Sequence, residues 1–229
     1  MKKISLIVAF LFLSILEAGF FPPTVTCTVT GVSGSTISLS RPFPISGMSG
    51  VVIHKYGNGL SAIRSIAVGG SPGSARVYKG DLLDHNGLPF PRGLASVGDK
   101  VIAGYLYKNV LVIAPNAQTY SAITRSSSRH WIHPDLYAAF LVRQGDSSIS
   151  KSNLEKFAKE AQVGLVYIVK SGTAILYDPI SHRVISQKPF NVIGSETKYP
   201  FYTRFTSLKS GFFGRSAKGN YYSGVGAIK

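Results

Sequence analysis

Apolar and polar positions fall into two regimes along the chain. From Val25 to Leu39 they alternate, V-T-C-T-V-T and then S-T-I-S-L-S on either side of Gly31 to Gly34, which predicts a hairpin with one buried face. Pro42 and Pro44 end it. Three further strands are predicted in SGVVIHKY, LSAIRSIAVGG and ARVYKGDLL, separated by Gly57-Asn58-Gly59 and by a glycine pair. Segment 84–98, DHNGLPFPRGLASVG, is dense in chain breakers and reads as a loop. DKVIAGYLY and NVLVIAP then read as an antiparallel pair about Lys108-Asn109. Strands this short at this spacing predict a small, closed or nearly closed β barrel over residues 24–113.

Beyond Pro115 the pattern changes. AQTYSAITR predicts a short helix, while RHWIHPDLYAAFLV is strand-like but ambiguous between strand and helix, with Pro134 disfavouring a helix at His130 and His133. In SKSNLEKFAKEAQ the apolar residues Leu154, Phe157, Ala158 and Ala161 recur at helical spacing, opposite Lys151, Glu155, Lys159 and Glu160. That predicts an amphipathic helix from Ser152 to Val163, with Ser152 and Glu155 as a capping box and Gly164 as its left-handed stop. LVYIVK and TAILYD form a hairpin about Ser171-Gly172, on which the helix lies through Leu154 and Phe157, and HRVISQKPF adds a last strand. The order β-α-β-α-β-β predicts a sandwich over residues 110–206 that shares NVLVIAP with the barrel. The expected fold class is therefore α+β: a small N-terminal β-barrel-like domain, the sandwich, and a basic C-terminal tail. Residues 207–229 interleave aromatics, glycines and basic residues without a period, which predicts a flexible tail separable from the fold.

Charge gives that tail a candidate role. The chain carries 25 Lys and Arg against 10 Asp and Glu, a net charge of +15, and should adhere to anionic lipid, acidic polysaccharide or an acidic protein. Lys209, Arg215, Lys218 and Lys229 supply cations to such a surface, beside Phe212, Phe213, Tyr221 and Tyr222, whose rings suit a lipid interface. At the other end Lys2 and Lys3 precede an apolar run from Ile4 to Leu16, and Ala18 offers a small residue for cleavage. The run is shorter than the roughly 20 residues a bilayer-spanning helix needs. Residues 1–18 are thus expected to be a signal peptide, which places the protein in the periplasm, the outer membrane or the cell surface.

Motifs that would carry catalysis do not assemble. Cys27 is the sole cysteine, so no intramolecular disulfide can form. His130 and His133 on a strand point to opposite faces and make no chelate. No G-x-S-x-G elbow occurs, and GLASVGDK has the glycine spacing of a phosphate loop but Asp99 where the lysine belongs. Asp81 and Asp84 read as turn formers. No catalytic, cofactor or metal residue is expected, and no enzyme. The mixture of Lys, Arg, Tyr and Phe in the tail also suits single-stranded nucleic acid, against which export argues.

Three stretches reached by patterning, GDKVIAGYLYKNVLVIAPNAQTYSAI, HWIHPDLYAAFLV and VGLVYIVKSGTAILYD, resemble the N-terminal domain of the bacterial plasminogen-binding protein A family. The resemblance covers residues 37–206, with KGD at Lys79 to Asp81, GDK at Gly98 to Lys100 and IAPN at Ile113 to Asn116 as its firmest points. It implies a cell-envelope binding protein that captures host plasminogen. Named members continue into a long Lys/Glu-rich region where this chain ends at Lys229, so a structural or scaffold protein of the periplasm or outer membrane is the alternative. Plasminogen capture would put weight on Lys229: kringle domains recognise an ammonium and a carboxylate held apart, and a terminal lysine made mobile by Gly219, Gly224 and Gly226 presents both.

Overall fold

In the computed structural model, β1 (Val25–Ser33) and β2 (Thr36–Leu39) pair as the alternation predicts, joining Val29 to Leu39 and Ser33 to Thr36. Cys27, Val29, Ile37 and Leu39 turn inward and the intervening Thr28, Thr30 and Ser38 face out. β3 (Ser49–Gly57), β4 (Leu60–Gly69), β5 (Ser74–Tyr78) and β6 (Lys100–Ala103) close a barrel in the order β1-β2-β5-β4-β3-β6. Gly50 lets β3 meet β6, since a Cβ there would stand 2.5 Å from the Ile102 carbonyl oxygen. The structure describes residues 19–80, 93–205, 209–210, 215–216 and 219–229. The expected signal segment 1–18, Asp81, Asp84 and most of the 84–98 loop lie outside the described residues.

The barrel ends earlier than its sequence suggested. β7 (Asn109–Ile113) does not pair with β6 about Lys108-Asn109; it is the inner strand of a second sheet, ordered β11-β10-β9-β7-β8. Val110 to Ile113 are all buried, and such an unbroken apolar run suits a strand covered on both faces rather than a barrel strand with one wet side. β8 (His130–Ile132) and β9 (Leu165–Lys170) flank β7 in parallel, and β10 (Thr173–Asp178) and β11 (Arg183–Pro189) continue antiparallel. Val110, Val112, Tyr167 and Leu176 face the barrel core and Ile123 of α1 (Ala117–Arg125). Leu111, Ile113, Val166, Ile168 and Ile175 face α2 (Pro134–Arg143) and α3 (Lys151–Ala161).

α2 corrects the strand expected over RHWIHPDLYAAFLV, and the order becomes β-α-β-α-α-β-β-β. Pro134 starts the helix instead of preventing it, because a first-turn residue has no intrahelical acceptor for its missing N–H. His133 caps the helix, its Nδ1 accepting from the Asp135 N–H at 3.1 Å. α3 lies where its periodicity put it, yet its cap is Ser150, whose hydroxyl accepts from Asn153 N, rather than Ser152. Gln162, at φ +54°, supplies the left-handed end assigned to Gly164. Gly164 serves a close approach instead: a Cβ would fall 2.2 Å from the Leu106 carbonyl.

α3 packs on the β9–β10 hairpin through Leu154 and Phe157, as expected, with the Phe157 ring 5.1 Å from Tyr137 and 5.4 Å from Phe140. Truncating a buried Phe typically costs about 3–5 kcal/mol through lost transfer energy and the cavity left behind. Phe157→Ala should lower the chemical-denaturation midpoint accordingly. A change within about 0.5 kcal/mol would show that this face contributes no more than an exposed one.

The C-terminal tail is corrected in its last part. α4 (Tyr221–Gly226) lies against the second sheet, and Tyr221, Val225 and Ile228 are buried in the same core as α2 and α3. The Tyr221 hydroxyl lies 2.7 Å from the Val169 carbonyl and 3.0 Å from that of Ile113, sharing its proton between two strand ends. Gly219 is a close approach rather than a hinge, because a Cβ would meet the Tyr199 ring at 2.7 Å. The glycines hid a stripe at i, i+4 and i+7.

Candidate functional site

The tail residues singled out for partner binding lie partly outside the described residues. Lys209 and Arg215 stand on a two-stranded ladder, β12 (Lys209–Ser210) with β13 (Arg215–Ser216). Phe212, Phe213 and Lys218 lie outside the described residues. Tyr221 is 1 % exposed, which removes it from any lipid interface, and Tyr222 is half-buried with its ring edge-on to Tyr221 at 5.1 Å. Lys229 is exposed beside Ile228, whose carbonyl accepts from Lys170 Nζ.

Sequence reading missed the polar centres that join the fold, since each gathers residues far apart in the chain. Asp178, wholly buried at the end of β10, accepts from the Tyr107 hydroxyl at 2.6 Å and from Ser49 N at 2.8 Å, so a sandwich carboxylate fastens the barrel. Its other oxygen accepts from Ile180 N and Ser181 N. Burial, and then the neighbouring carboxylate, push the Tyr107 phenol well above its ordinary value, so it stays a donor. Nearby, Glu155 pairs with Lys159 and His182, each at 2.9 Å. Burial opposes ionisation of Glu155, but those hydrogen bonds outweigh it and hold its carboxyl below the usual range. Between this cluster and the barrel lies a cleft of about 220 Å³.

A second centre lies in the barrel. Asp99, 5 % exposed, holds His54 Nδ1 at 2.6 Å and accepts from Ser96 N at 2.8 Å and Arg64 at 3.2 Å. Arg64 also donates to the Gly93 carbonyl and Ser65 to that of Leu94, so the group clasps segment 93–99 to β3 and β4. Asp99 thus has a structural reason to stand where a phosphate loop would have its lysine.

The third centre is at the carboxyl ends of β7 and β8. α1 leaves β7 on one face of the sheet and α2 leaves β8 on the other, the crossing point at which open α/β sheets bind ligands. Here the chain fills it. Tyr202 N donates to Ala114 O at 2.8 Å, Lys198 N to Pro115 O at 2.7 Å, and Asn116, the α1 cap, donates its amide to Glu196 O at 2.8 Å. Tyr120, His133 and Tyr202 cluster at the rim, and Arg204 bonds Asp135 through its backbone N and Nε. A further rim, on the barrel-facing side, sets Lys188 over the Phe20 ring and Arg129 over that of Phe21.

The third centre gives a pH dependence. Burial lowers the His133 imidazole, Asp135 pulls it back and Arg204 lowers it again, leaving it below its ordinary value. The unfolded chain, titrating near about 6.5, therefore binds more protons than the folded one in the window just below, and stability falls as pH drops through it. Asp135 acts in the same direction at lower pH: burial raises its carboxyl, the Arg204 bonds outweigh that, and the stability it adds is lost as pH falls through the carboxylate range. His133→Asn keeps a capping side chain and should remove the upper step in a plot of Tm against pH from 8 to 5. An unchanged step would place it elsewhere.

Residues 24–224 match the family model described as Plasminogen-binding protein pgbA N-terminal. The chain belongs to that family. Its match to the pgbA N-terminal model begins just before β1 and runs into α4, spanning the barrel, the second sheet and all three centres. Two curated relatives, both Plasminogen-binding protein PgbA of Helicobacter pylori, from strains J99 and 26695, are each 27% identical over 174 residues. That alignment takes in 73% of this chain and 38% of the relative, so the chain spans under two fifths of the length of these relatives. No solved structure matches. Two of the motifs that carry the resemblance are fold-building: Asp99 of GDK clasps the barrel loop, and Asn116 of IAPN caps α1 and anchors residue 196.

Proposed function

We propose that the protein is an exported, non-enzymatic binding protein of the cell envelope and that plasminogen is its ligand. The observation that carries this reading is the extent of the family match, which takes in the barrel, the second sheet and all three centres rather than one motif. The titratable centres support a binding role because each of them holds the fold together, Asp178 by joining the two domains, Asp99 by clasping a loop and His133 by capping a helix. The thiol of Cys27 is raised by burial, with Arg41 opposing, which leaves it a poor nucleophile inside the barrel. Export rests on Lys2, Lys3 and the apolar run to Leu16. Phe20 and Phe21 pack on Tyr167, so the folded part of the chain takes up within a few residues of Ala18.

Exposed lysines such as Lys55, Lys108, Lys151 and Lys156 offer ammonium groups to lysine-binding kringles. The test is binding of residues 19–229 to immobilised plasminogen, with and without 6-aminohexanoate. Saturable binding that the lysine analogue displaces is expected, and binding insensitive to it overturns the lysine-directed mechanism. The net charge of +15 further predicts adhesion to anionic vesicles that weakens with added salt. The scaffold reading is favoured by one observation, the exposure of Tyr56 and Leu60, at 51% and 67%, about the β3–β4 turn. Loss of all plasminogen binding together with capture of an envelope protein through that turn would put it first.

A further inference from the structure

On the barrel-facing side of the second sheet four half-buried rings, Phe20, Phe21, Trp131 and Phe190, lie about the buried Tyr167. They form one run: Trp131 meets Phe21 at 6.1 Å, Phe21 meets Phe20 at 5.2 Å, Phe20 meets Tyr167 at 5.3 Å, and Tyr167 meets Phe190 at 6.2 Å. A cation stands on each of the first two phenylalanines, Lys188 Nζ 4.6 Å from the Phe20 centroid and Arg129 Cζ 4.3 Å from that of Phe21. Among the described residues no carboxylate pairs with either cation. Stacking uses only the ring side of such a group, so the in-plane guanidinium donors and the outer ammonium donors are left for oxyanions from outside the chain.

Two observations name the source of those oxyanions. Half-buried rings flanked by Lys and Arg have the chemistry of a bilayer's headgroup level, where the aromatic body meets the acyl boundary and the cation meets phosphate. The second is position along the chain. The apolar run from Ile4 to Leu16 ends four residues before Phe20, a length that spans at most about 14 Å, so a bilayer that takes up the run holds this rim within reach of its headgroups. We propose that the rim docks the protein on an anionic phospholipid surface, with lipid phosphates at Arg129 and Lys188 and the rings at headgroup level. This deepens the adhesion expected from the net charge and rests on that part of the reading, giving it one place instead of a diffuse field.

Trp131 is the chain's one tryptophan, so its fluorescence reports this rim alone. Residues 19–229 are mixed with vesicles of phosphatidylglycerol and brominated phosphatidylcholine, the bromine serving as quencher. Saturable quenching of Trp131 is expected, and none on vesicles of brominated phosphatidylcholine alone. In a sedimentation assay Arg129→Gln and Lys188→Gln should each weaken binding to the anionic vesicles about fivefold, the effect of one basic residue at such a surface. Lys55→Gln and Lys151→Gln, on exposed positions elsewhere, should weaken it by less than about twofold because salt screens them. Binding that leaves Trp131 unquenched, or that all four substitutions weaken equally, would overturn the rim and leave general adhesion standing. Absence of binding to the anionic vesicles would overturn both. Binding to polygalacturonate with the same dependence on Arg129 and Lys188, and none to vesicles, would replace the lipid by an acidic polysaccharide.

Discussion

A chain ending at Lys218 is expected to lose much of its stability. The removed segment buries Tyr221 and Val225 at 1 % exposure and Ile228 at 0 %, all in the core shared with α2 and α3. Each such side chain contributes about 1.5–3 kcal/mol by leaving water, so the three together stabilise the fold by roughly 5–9 kcal/mol. A domain's whole margin is about 5–15 kcal/mol. The Val169 and Ile113 carbonyls, which share the Tyr221 hydroxyl, would also lose their partner. At about 2–4 °C per kcal/mol for a chain of this size, the thermal midpoint should fall by at least roughly 10 °C, or cooperative unfolding should disappear. Tyr221→Phe isolates the hydroxyl and should cost about 1–2 kcal/mol. An unaltered thermal transition after the deletion would return 219–229 to the status of a separable tail.

Asp178→Ala is the second large effect. Two buried donors, Ser49 N and the Tyr107 hydroxyl, converge on one oxygen, and Ile180 N and Ser181 N on the other. Alanine removes the acceptor while leaving the donors, and an unsatisfied buried donor costs about 1–3 kcal/mol. Ser49 and Tyr107 are 9% and 2% exposed, so water reaches them poorly; a loss of about 3–5 kcal/mol is expected. Asp178→Asn retains an acceptor and should cost clearly less. Because this carboxylate ties β3 of the barrel to β10 of the sandwich, the alanine variant should also separate their unfolding, read by fluorescence and far-UV dichroism as two midpoints. A single transition displaced by under about 1 kcal/mol would show that apolar contact alone joins the two.

How legible the fold was depended on how local its causes are. The period-two pattern from Val25 to Leu39 and the i, i+3, i+4 face of α3 are set by neighbours in sequence, and both elements stand where the residues put them. So does the β9–β10 hairpin, whose turn needs the positive φ of Gly172. β7 was expected in barrel and sandwich alike, and only the sandwich place holds, because an apolar pentapeptide has no preferred partner: β6 is next in sequence, but β8 and β9 win by burying both its faces. α2 was misread because Pro134 signals a break or a helix start alike, and the helix is fixed by Tyr137, Phe140 and Leu141 reaching the core. α4 was missed because its glycines lower helix propensity, a weak local term that docking of Tyr221, Val225 and Ile228 overrides.

What the sequence by itself determined, then, is the strand and helix character of periodic segments, the basic excess, the single cysteine that rules out an intramolecular disulfide and the family's motifs. What only the tertiary structure decided is which distant residues share a place: Asp178 with Ser49, His54 with Asp99, Tyr221 with Ile113, and a cleft walled by barrel and helix. The reason is physical. Periodicity encodes which face of an element is apolar, whereas the pairing of a buried polar group is chosen by the three-dimensional closure that removes its water.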